Sequence, residues 1–276
     1  MRRIKELIKN ISPFNNRTDM PKILYIIKVI LIFWAFKFGA ELIGEGLVIA
    51  LHFACGKNPL KGEMFSNNTI TLITYFGYGI MIGIIALFWK LFQKKGLKEL
   101  GFVKPAASYF AGVLAGMVLL LISVAVITLT GAIEYNGVFG NIDYRMVAVM
   151  FICFVLQGAL EEILCRGIVQ QLLQKKTSVP SAIFVSAVLF TIPHLSSMDF
   201  GNPSIASIAV VNLFLVSLIF SLLTLRFKSI WAACGIEASI ITTAVLGTAA
   251  ALLLVSYCSV SRFSSRAARL KGRTLS

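Results

Sequence analysis

The chain has 276 residues, of which 58% are hydrophobic and only 14% are charged, and its mean hydropathy is +0.86. Soluble globular proteins carry about 25% charged residues, so this composition excludes a soluble globular domain and indicates a membrane protein. We expect most of the formal net charge of +14 to lie at membrane edges, where basic residues attract anionic lipid, and we expect no nucleic-acid partner.

Apolar segments recur along the chain, and several reach the ~20 residues that cross ~30 Å of hydrocarbon. We therefore predict an all-α fold, a polytopic transmembrane helical bundle that forms a single domain. The last segment is long enough for one tilted helix or for two short helices broken near Thr242-Thr243 and Gly247. The candidate spans are 23–54, 69–92, 108–130, 144–173, 180–195, 203–225 and 230–257.

Basic residues cluster before the first span and in every second loop, which marks these parts as cytoplasmic. The basic tail is cytoplasmic only if the last apolar segment crosses twice, so the charge pattern favours eight spans over seven. We expect a cytoplasmic N-terminus, with the first helix kept as an anchor, in the plasma membrane of a bacterium. The predicted parts are a cytoplasmic segment at 1–22, the transmembrane domain at 23–258 and a cytoplasmic tail at 259–276.

The five cysteines include no CxxC pair, and we interpret them as reduced packing residues. They are Cys55, Cys153, Cys165, Cys234 and Cys258.

Three ionisable residues, Glu161, Glu162 and Arg166, lie inside one of the most apolar stretches. Each ionised side chain at membrane depth costs from ~2.5 kcal/mol upward, so the cluster needs partners, a wet cavity or a function. Glu162 precedes Arg166 by four residues, which favours a helical ion pair. Glu161 is rotated by about 100° from Glu162 and is the freer carboxylate. A purely structural cluster that orients two helices is the alternative.

His194 lies one helical turn after Phe190 and directly after Pro193. A lone histidine in an apolar helix is usually structural. A turn near 175–179, however, would place Glu161 and His194 at similar depths, both roughly 20 to 24 Å from that turn at 1.5 Å per residue. We therefore expect the two side chains to face each other.

Two further places carry charge within apolar spans. Glu237 lies about 14 Å beyond the preceding turn, somewhat shallower than Glu161. Lys37, Glu41 and Glu45 recur at four-residue spacing on one stripe of the first span. A local ion-pair network is the favoured interpretation of this stripe, and a gate beside an active site is the alternative.

These motifs resemble those of the CPBP family, the CAAX prenyl endopeptidases of the Ras-converting type and their bacterial Abi relatives, which include bacteriocin-immunity proteins. The Glu-Glu-x-x-x-Arg pattern matches Glu161, Glu162 and Arg166, and the Phe-x-x-x-His pattern matches Phe190 and His194. The resemblance covers about 97–247, which we expect to form the core of the domain.

The resemblance implies that Glu161 activates water for peptide hydrolysis and that His194 binds this water or stabilises the oxyanion. Glu162, Arg166 and Phe190 would support the site. The implied partners are membrane lipid and a peptide or protein substrate, prenylated or leader-bearing.

The third family motif departs from its usual form, because Glu237 and Ile241 stand where relatives carry histidine and asparagine. An ionised Glu237 would repel an oxyanion, and losing one donor there typically costs ~10² to 10³ in rate. Glu237 could instead be protonated, or could join Glu161 and His194 around a divalent metal such as zinc. A metal-free site is equally compatible with the resemblance.

Three functions remain open at this point. The first is an intramembrane endopeptidase that cuts near the cytoplasmic face, with Glu161, His194 and Glu237 as its catalytic residues. The second is a catalytically impaired protein of the same fold that acts as an immunity or binding factor. The third is a proton-coupled transporter, because buried Glu, Arg and His also mark such pathways.

Overall fold

The computed structural model describes residues 2–103, 107–129, 144–198 and 200–248, and within these ranges every regular element is a helix. The prediction of an all-α bundle is confirmed. A π-helical segment, Ile163–Gln170, joins α5 to α6, and 3₁₀ turns occupy Pro59–Lys61, Leu97–Leu100 and Leu195–Ser197. The α-helices are α1 (Arg2–Ile11), α2 (Lys22–Ala54), α3 (Asn67–Phe92), α4 (Ala107–Leu129), α5 (Tyr144–Glu162), α6 (Gln171–Leu173), α7 (Val179–His194), α8 (Pro203–Phe227) and α9 (Trp231–Thr248).

Five of the described helical segments are long and apolar enough to cross a membrane, and the start of α4, Ala107–Ser123, is a shorter apolar helix. Helix α9 runs unbroken to Thr248, through the position of the expected break at Thr242-Thr243. The rest of 230–257 and the basic tail lie outside the described residues. The five segments are Lys22–Ala54, Asn67–Phe92, Ala148–Leu173, Val179–Ser197 and Pro203–Phe227.

Glycines allow two pairs of helices to approach closely. Helices α2 and α3 touch where a Cβ on Gly77 would lie 2.9 Å from the Cα of Gly44. Helices α4 and α9 touch where Gly112 faces the carbonyl oxygen of Ala232 and Gly116 faces Ser239. Small residues four apart are typical of tight helix packing in membranes, because lipid offers no hydrophobic drive and close van der Waals contact replaces it.

The buried core surrounds the π-helical segment, all of whose residues are buried. Side chains from α2, α3, α7 and the start of α9 pack around it. Large apolar side chains such as Phe76, Phe110 and Ile208 are instead exposed on the outer faces of the bundle. In a membrane these faces contact lipid, whereas the centre of the bundle holds the polar residues.

Of the two histidines, His52 at the end of α2 is fully buried and has a structural role. Its Nδ1 lies 2.7 Å from the carbonyl oxygen of Val48, and its Nε2 accepts the backbone N–H of Phe65 at 2.9 Å. Both ring nitrogens are therefore occupied, Nδ1 within α2 and Nε2 in holding the loop before α3. His194 is the histidine with a nitrogen left for chemistry.

Candidate functional site

Glu161 and His194 face each other across a cavity, as their expected depths indicated. Glu161 lies one residue before the end of α5, and His194 is the last residue of α7. His194 Nε2 is 3.8 Å from Glu161 Oε2, and the two side chains keep 28% and 13% exposure. This separation is too long for a direct hydrogen bond, and a water contacting both groups would bridge it.

Local hydrogen bonds orient both side chains. Gln157, one turn before Glu161, donates its Nε2 hydrogen to Glu161 Oε1 at 3.1 Å. His194 Nδ1 lies 2.8 Å from the carbonyl oxygen of Phe190. Because a carbonyl only accepts, Nδ1 carries the hydrogen, and Nε2 is the ring nitrogen on the side of Glu161. The ring of Phe190 lies 4.9 Å from that of His194.

The ion pair between Glu162 and Arg166 is present, and both side chains are fully buried. Arg166 also donates to the backbone oxygen of Ser217 at 2.8 Å and to its Oγ at 2.6 Å. The guanidinium lies between the rings of Phe190 at 4.9 Å and Phe220 at 5.3 Å. Arg166 thus ties the segment after Glu161 to both α7 and α8.

Glu237 reaches the same region from α9 but does not line the cavity. Its side chain is 4% exposed, and a Cβ on Gly158 would come within 3.2 Å of its Cγ. Its carboxyl interacts with that of Glu161. Because Gly158 has no side chain, it leaves the space that the Glu237 side chain occupies. The side chain of Ile241 lies outside the described residues.

The three-ligand metal site suggested for Glu161, His194 and Glu237 is not assembled. Within the part of the chain that the structure describes, no three His, Cys, Asp or Glu side chains are placed to hold a metal ion. The reason is the position of the side chains. His194 lines the cavity, whereas Glu237 is buried against Gly158 and does not line it. These residues do not fit a three-ligand zinc centre.

The cavity itself has a volume of about 160 Å³, and α2 and α3 supply its far wall. Lys37 lines it and forms an ion pair with Glu41 at 2.6 Å. Tyr78 lines it as well and donates its hydroxyl hydrogen to the Glu41 carboxylate at 3.1 Å. Glu45 is exposed and lies outside the cavity wall. The ion pair expected on the first span therefore belongs to the candidate site.

The sequence did not predict the roles of Gln157, Tyr75 and Tyr78 in the cavity wall, or of Ser217 and Phe220 around Arg166. Tyr75 and Tyr78 carry hydroxyls within an apolar span, three residues apart, and this spacing was the available signal. Ser217 had no such signal, because its contact with Arg166 joins residues 51 positions apart.

A comparison with protein families gives a match over part of the chain. Residues 143–243 match the family model described as type II CAAX prenyl endopeptidase Rce1-like. No curated protein and no solved structure gives a significant match to the chain. The matched range contains Glu161, Glu162, Arg166, Phe190, His194 and Glu237.

The match supports an intramembrane endopeptidase at the level of the family, acting on a peptide or protein within a membrane. Together with the apolar helices, it indicates an integral membrane protein. Residues 143–243 of this chain are thus similar to an Rce1-like domain, consistent with the CPBP family of proteases.

Proposed function

We propose that this protein is an intramembrane endopeptidase in which Glu161 activates water and His194 assists. The observation that carries the proposal is the 3.8 Å separation of Glu161 Oε2 and His194 Nε2 at the wall of a cavity inside an apolar bundle. A carboxylate and an imidazole at that separation can hold one water between them. Such a pair can act as base and acceptor on the attacking nucleophile.

The hydrolytic step follows from these positions. One proton of the water moves to Glu161, the remaining O–H donates a hydrogen bond to His194 Nε2, and the water oxygen adds to the carbonyl carbon. The tetrahedral intermediate then expels the amine as the C–N bond breaks, and Glu161 returns its proton to the leaving nitrogen. One water is consumed, and the released carboxylic acid and amine ionise to a carboxylate and an ammonium.

The neighbouring residues have positioning roles in this proposal. Arg166 neutralises Glu162, so that the carboxylate next to it, Glu161, remains the one available to water. Phe190 contacts both the guanidinium of Arg166 and the ring of His194, which couples the two motifs. Glu237 adjoins the base from the side away from the cavity, where a neutral carboxyl would be tolerated better than a charged one.

The proposed substrate is a peptide or protein segment, prenylated or leader-bearing, that reaches the cavity from the membrane. We place the chain in the plasma membrane of a bacterium with its N-terminus in the cytoplasm and the core of the domain at 97–247. The cut would then fall at the depth of Glu161, about 20 Å from the cytoplasmic turn at 175–179, which is deeper than the cytoplasmic half of a ~30 Å hydrocarbon core.

Cleavage by purified protein tests this proposal. The probes are fluorogenic peptides with prenylated and unprenylated C-terminal segments, offered in detergent micelles to wild type, Glu161→Gln and His194→Ala. We expect both variants to lose at least about 10²-fold in rate, since each removes a group that handles the nucleophile. Arg226→Met, on an exposed position of α8, serves as the control. Wild type no faster than Glu161→Gln would contradict the proposal.

A second candidate, a noncatalytic immunity or binding factor, is favoured by one observation: a carboxyl adjoins Glu161 where relatives carry an imidazole. The same assay separates the two with the double variant Glu237→His and Ile241→Asn. A noncatalytic protein should gain cleavage when the usual motif is restored. An endopeptidase adapted to Glu237 should lose cleavage instead.

A further inference from the structure

Peptide hydrolysis places negative charge on the carbonyl oxygen, and a donor aimed at that oxygen typically contributes 10² to 10³ in rate. In the proposed mechanism His194 does not supply this donor, because its Nδ1 hydrogen is given to the carbonyl of Phe190 and its Nε2 accepts a hydrogen bond from the attacking water. Glu237 offers a carboxyl in the place of an imidazole and lies outside the cavity wall. The oxyanion therefore needs another partner.

Most hydroxyls in the cavity wall already give their hydrogens elsewhere. The hydroxyl of Tyr78 donates to Glu41, that of Ser196 donates to the oxygen of Pro193, and that of Ser197 donates to the oxygen of His194. These three groups are held by the protein and are not directed at a substrate.

Lys37 differs from these hydroxyls because it is charged and has hydrogens that the ion pair with Glu41 does not use. Among the described residues that line the cavity, it is the single lysine or arginine. Its ammonium has three hydrogens, and the ion pair with Glu41 at 2.6 Å uses one of them. The Nζ atom lies 5.7 Å from the centre of the Tyr78 ring. The side chain keeps 18% exposure, so a ligand in the cavity can reach it.

The depth of Lys37 matches that of the base. Lys37 lies about 15 residues beyond the start of α2 at Lys22, and His194 lies about 15 residues beyond the start of α7 at Val179, which is ~22 Å for each at 1.5 Å per residue. Glu161 lies a comparable distance from the turn that joins α6 to α7. Lys37 thus faces the cavity at the level where the carbonyl would be attacked.

We propose that Lys37 is a further catalytic residue, whose ammonium stabilises the carbonyl oxyanion while Glu41 and Tyr78 hold it in position. This inference rests on the proposed endopeptidase function. When the water oxygen adds to the carbonyl carbon and Glu161 takes the proton, the electron pair displaced onto oxygen is met by an N–H of Lys37. The lysine stays protonated throughout and forms no covalent bond.

The decisive probe is a phosphinate peptide, a stable tetrahedral anion, compared with the amide peptide of the same sequence. Binding of both is measured in detergent by isothermal titration calorimetry. We expect Lys37→Met to lower the affinity for the phosphinate by roughly 10²-fold, the effect of one oxyanion donor. The affinity for the amide should change by less than about threefold. Lys37→Arg, which keeps the charge, should retain part of the affinity, and Lys90→Met, at an exposed position of α3, should retain all of it.

The partner carboxylate supplies a second variant that guards against misfolding. Lys37→Met leaves Glu41 without its cation, whereas the double variant Lys37→Met with Glu41→Gln removes both charges and leaves the Tyr78 contact available. We expect the double variant to bind the amide normally and the phosphinate weakly. Tyr75→Phe tests the other hydroxyl of the wall. A loss of phosphinate binding that occurs in Tyr75→Phe and not in the Lys37 variants would overturn the assignment to Lys37.

Cleavage kinetics separate this inference from the function on which it rests. If Glu161→Gln abolishes cleavage while Lys37→Met binds the phosphinate and cleaves as wild type does, the Lys37 role is wrong and the endopeptidase stands. If wild type fails to cleave but binds phosphinate in a Lys37-dependent way, the anion site stands and the endopeptidase is wrong. A lower kcat with unchanged KM in Lys37→Met supports both.

Discussion

Arg166 is the single residue whose loss we expect to destabilise the bundle most. It pairs with Glu162, donates twice to Ser217 and is fully buried. Removing one member of a buried pair leaves an uncompensated charge and costs about 3 to 5 kcal/mol. Arg166→Met should therefore lower the melting temperature in detergent far more than the exposed control Arg226→Met.

The double variant Arg166→Met with Glu162→Gln examines the same pair from the other side. It removes both charges, so it should melt above Arg166→Met alone. A double variant that melts below Arg166→Met would show that the pairing energy is not what holds these helices.

At the same scale, the sequence could predict the Glu162–Arg166 pair and the approach of His194 to Glu161. Both follow from helix geometry, the first from a four-residue spacing and the second from equal distances to one turn. The partners of these groups across the bundle could not be predicted. Lys37 reaches the cavity only because α2 and α3 are packed against the α5–α7 hairpin, and nothing in its local spacing specifies that packing.

Between elements, glycine decides how closely α4 and α9 approach. A Cβ on Gly235 would collide with the backbone oxygen of Tyr109 and lie 2.9 Å from the nitrogen of Val113. Gly83, in α3, has nothing within 4 Å of the same position.

We expect Gly235→Ala to push α4 away from α9 and to lower the melting temperature. Gly83→Ala should leave it unchanged or raise it, because alanine favours a helix by about 0.5 to 1 kcal/mol over glycine. Because Gly235 lies two residues before Glu237, the first variant should also reduce peptide cleavage. Equal melting temperatures for the two variants would contradict this packing.

The sequence did not predict the conformation of the helix that follows Glu161. The helix widens into a π-helical segment over Ile163–Gln170. Such segments are rare and often occur at functional sites. The periodicity of apolar residues does not distinguish this widening from a regular α-helix, because all residues of the segment are buried and no face of it is marked by exposed polar residues.

For the whole molecule, the distribution of basic residues predicts which ends of the helices face the cytoplasm. The loop after α2 should lie outside, and it begins with Cys55, which is exposed, whereas Cys153, Cys165 and Cys234 are buried. This contrast makes Cys55 a reporter of orientation.

In intact cells, a membrane-impermeant maleimide should label the protein at Cys55. Cys258→Ser removes the cysteine that lies beyond the described residues, and adding Cys55→Ser to it should abolish the labelling. Labelling that requires permeabilised cells would reverse the proposed orientation. The helical bundle as a whole was predictable from the sequence, because composition and the length of the apolar segments are sufficient for that prediction.

The most direct measurement of the central claim is a single turnover of peptide cleavage in ¹⁸O-enriched water, followed by mass spectrometry of the product carboxyl. If Glu161 activates water, wild type places ¹⁸O in the new carboxyl terminus during the first turnover, and Glu161→Gln yields no product. A first-turnover product that carries only ¹⁶O, or equal product from Glu161→Gln, would contradict the account.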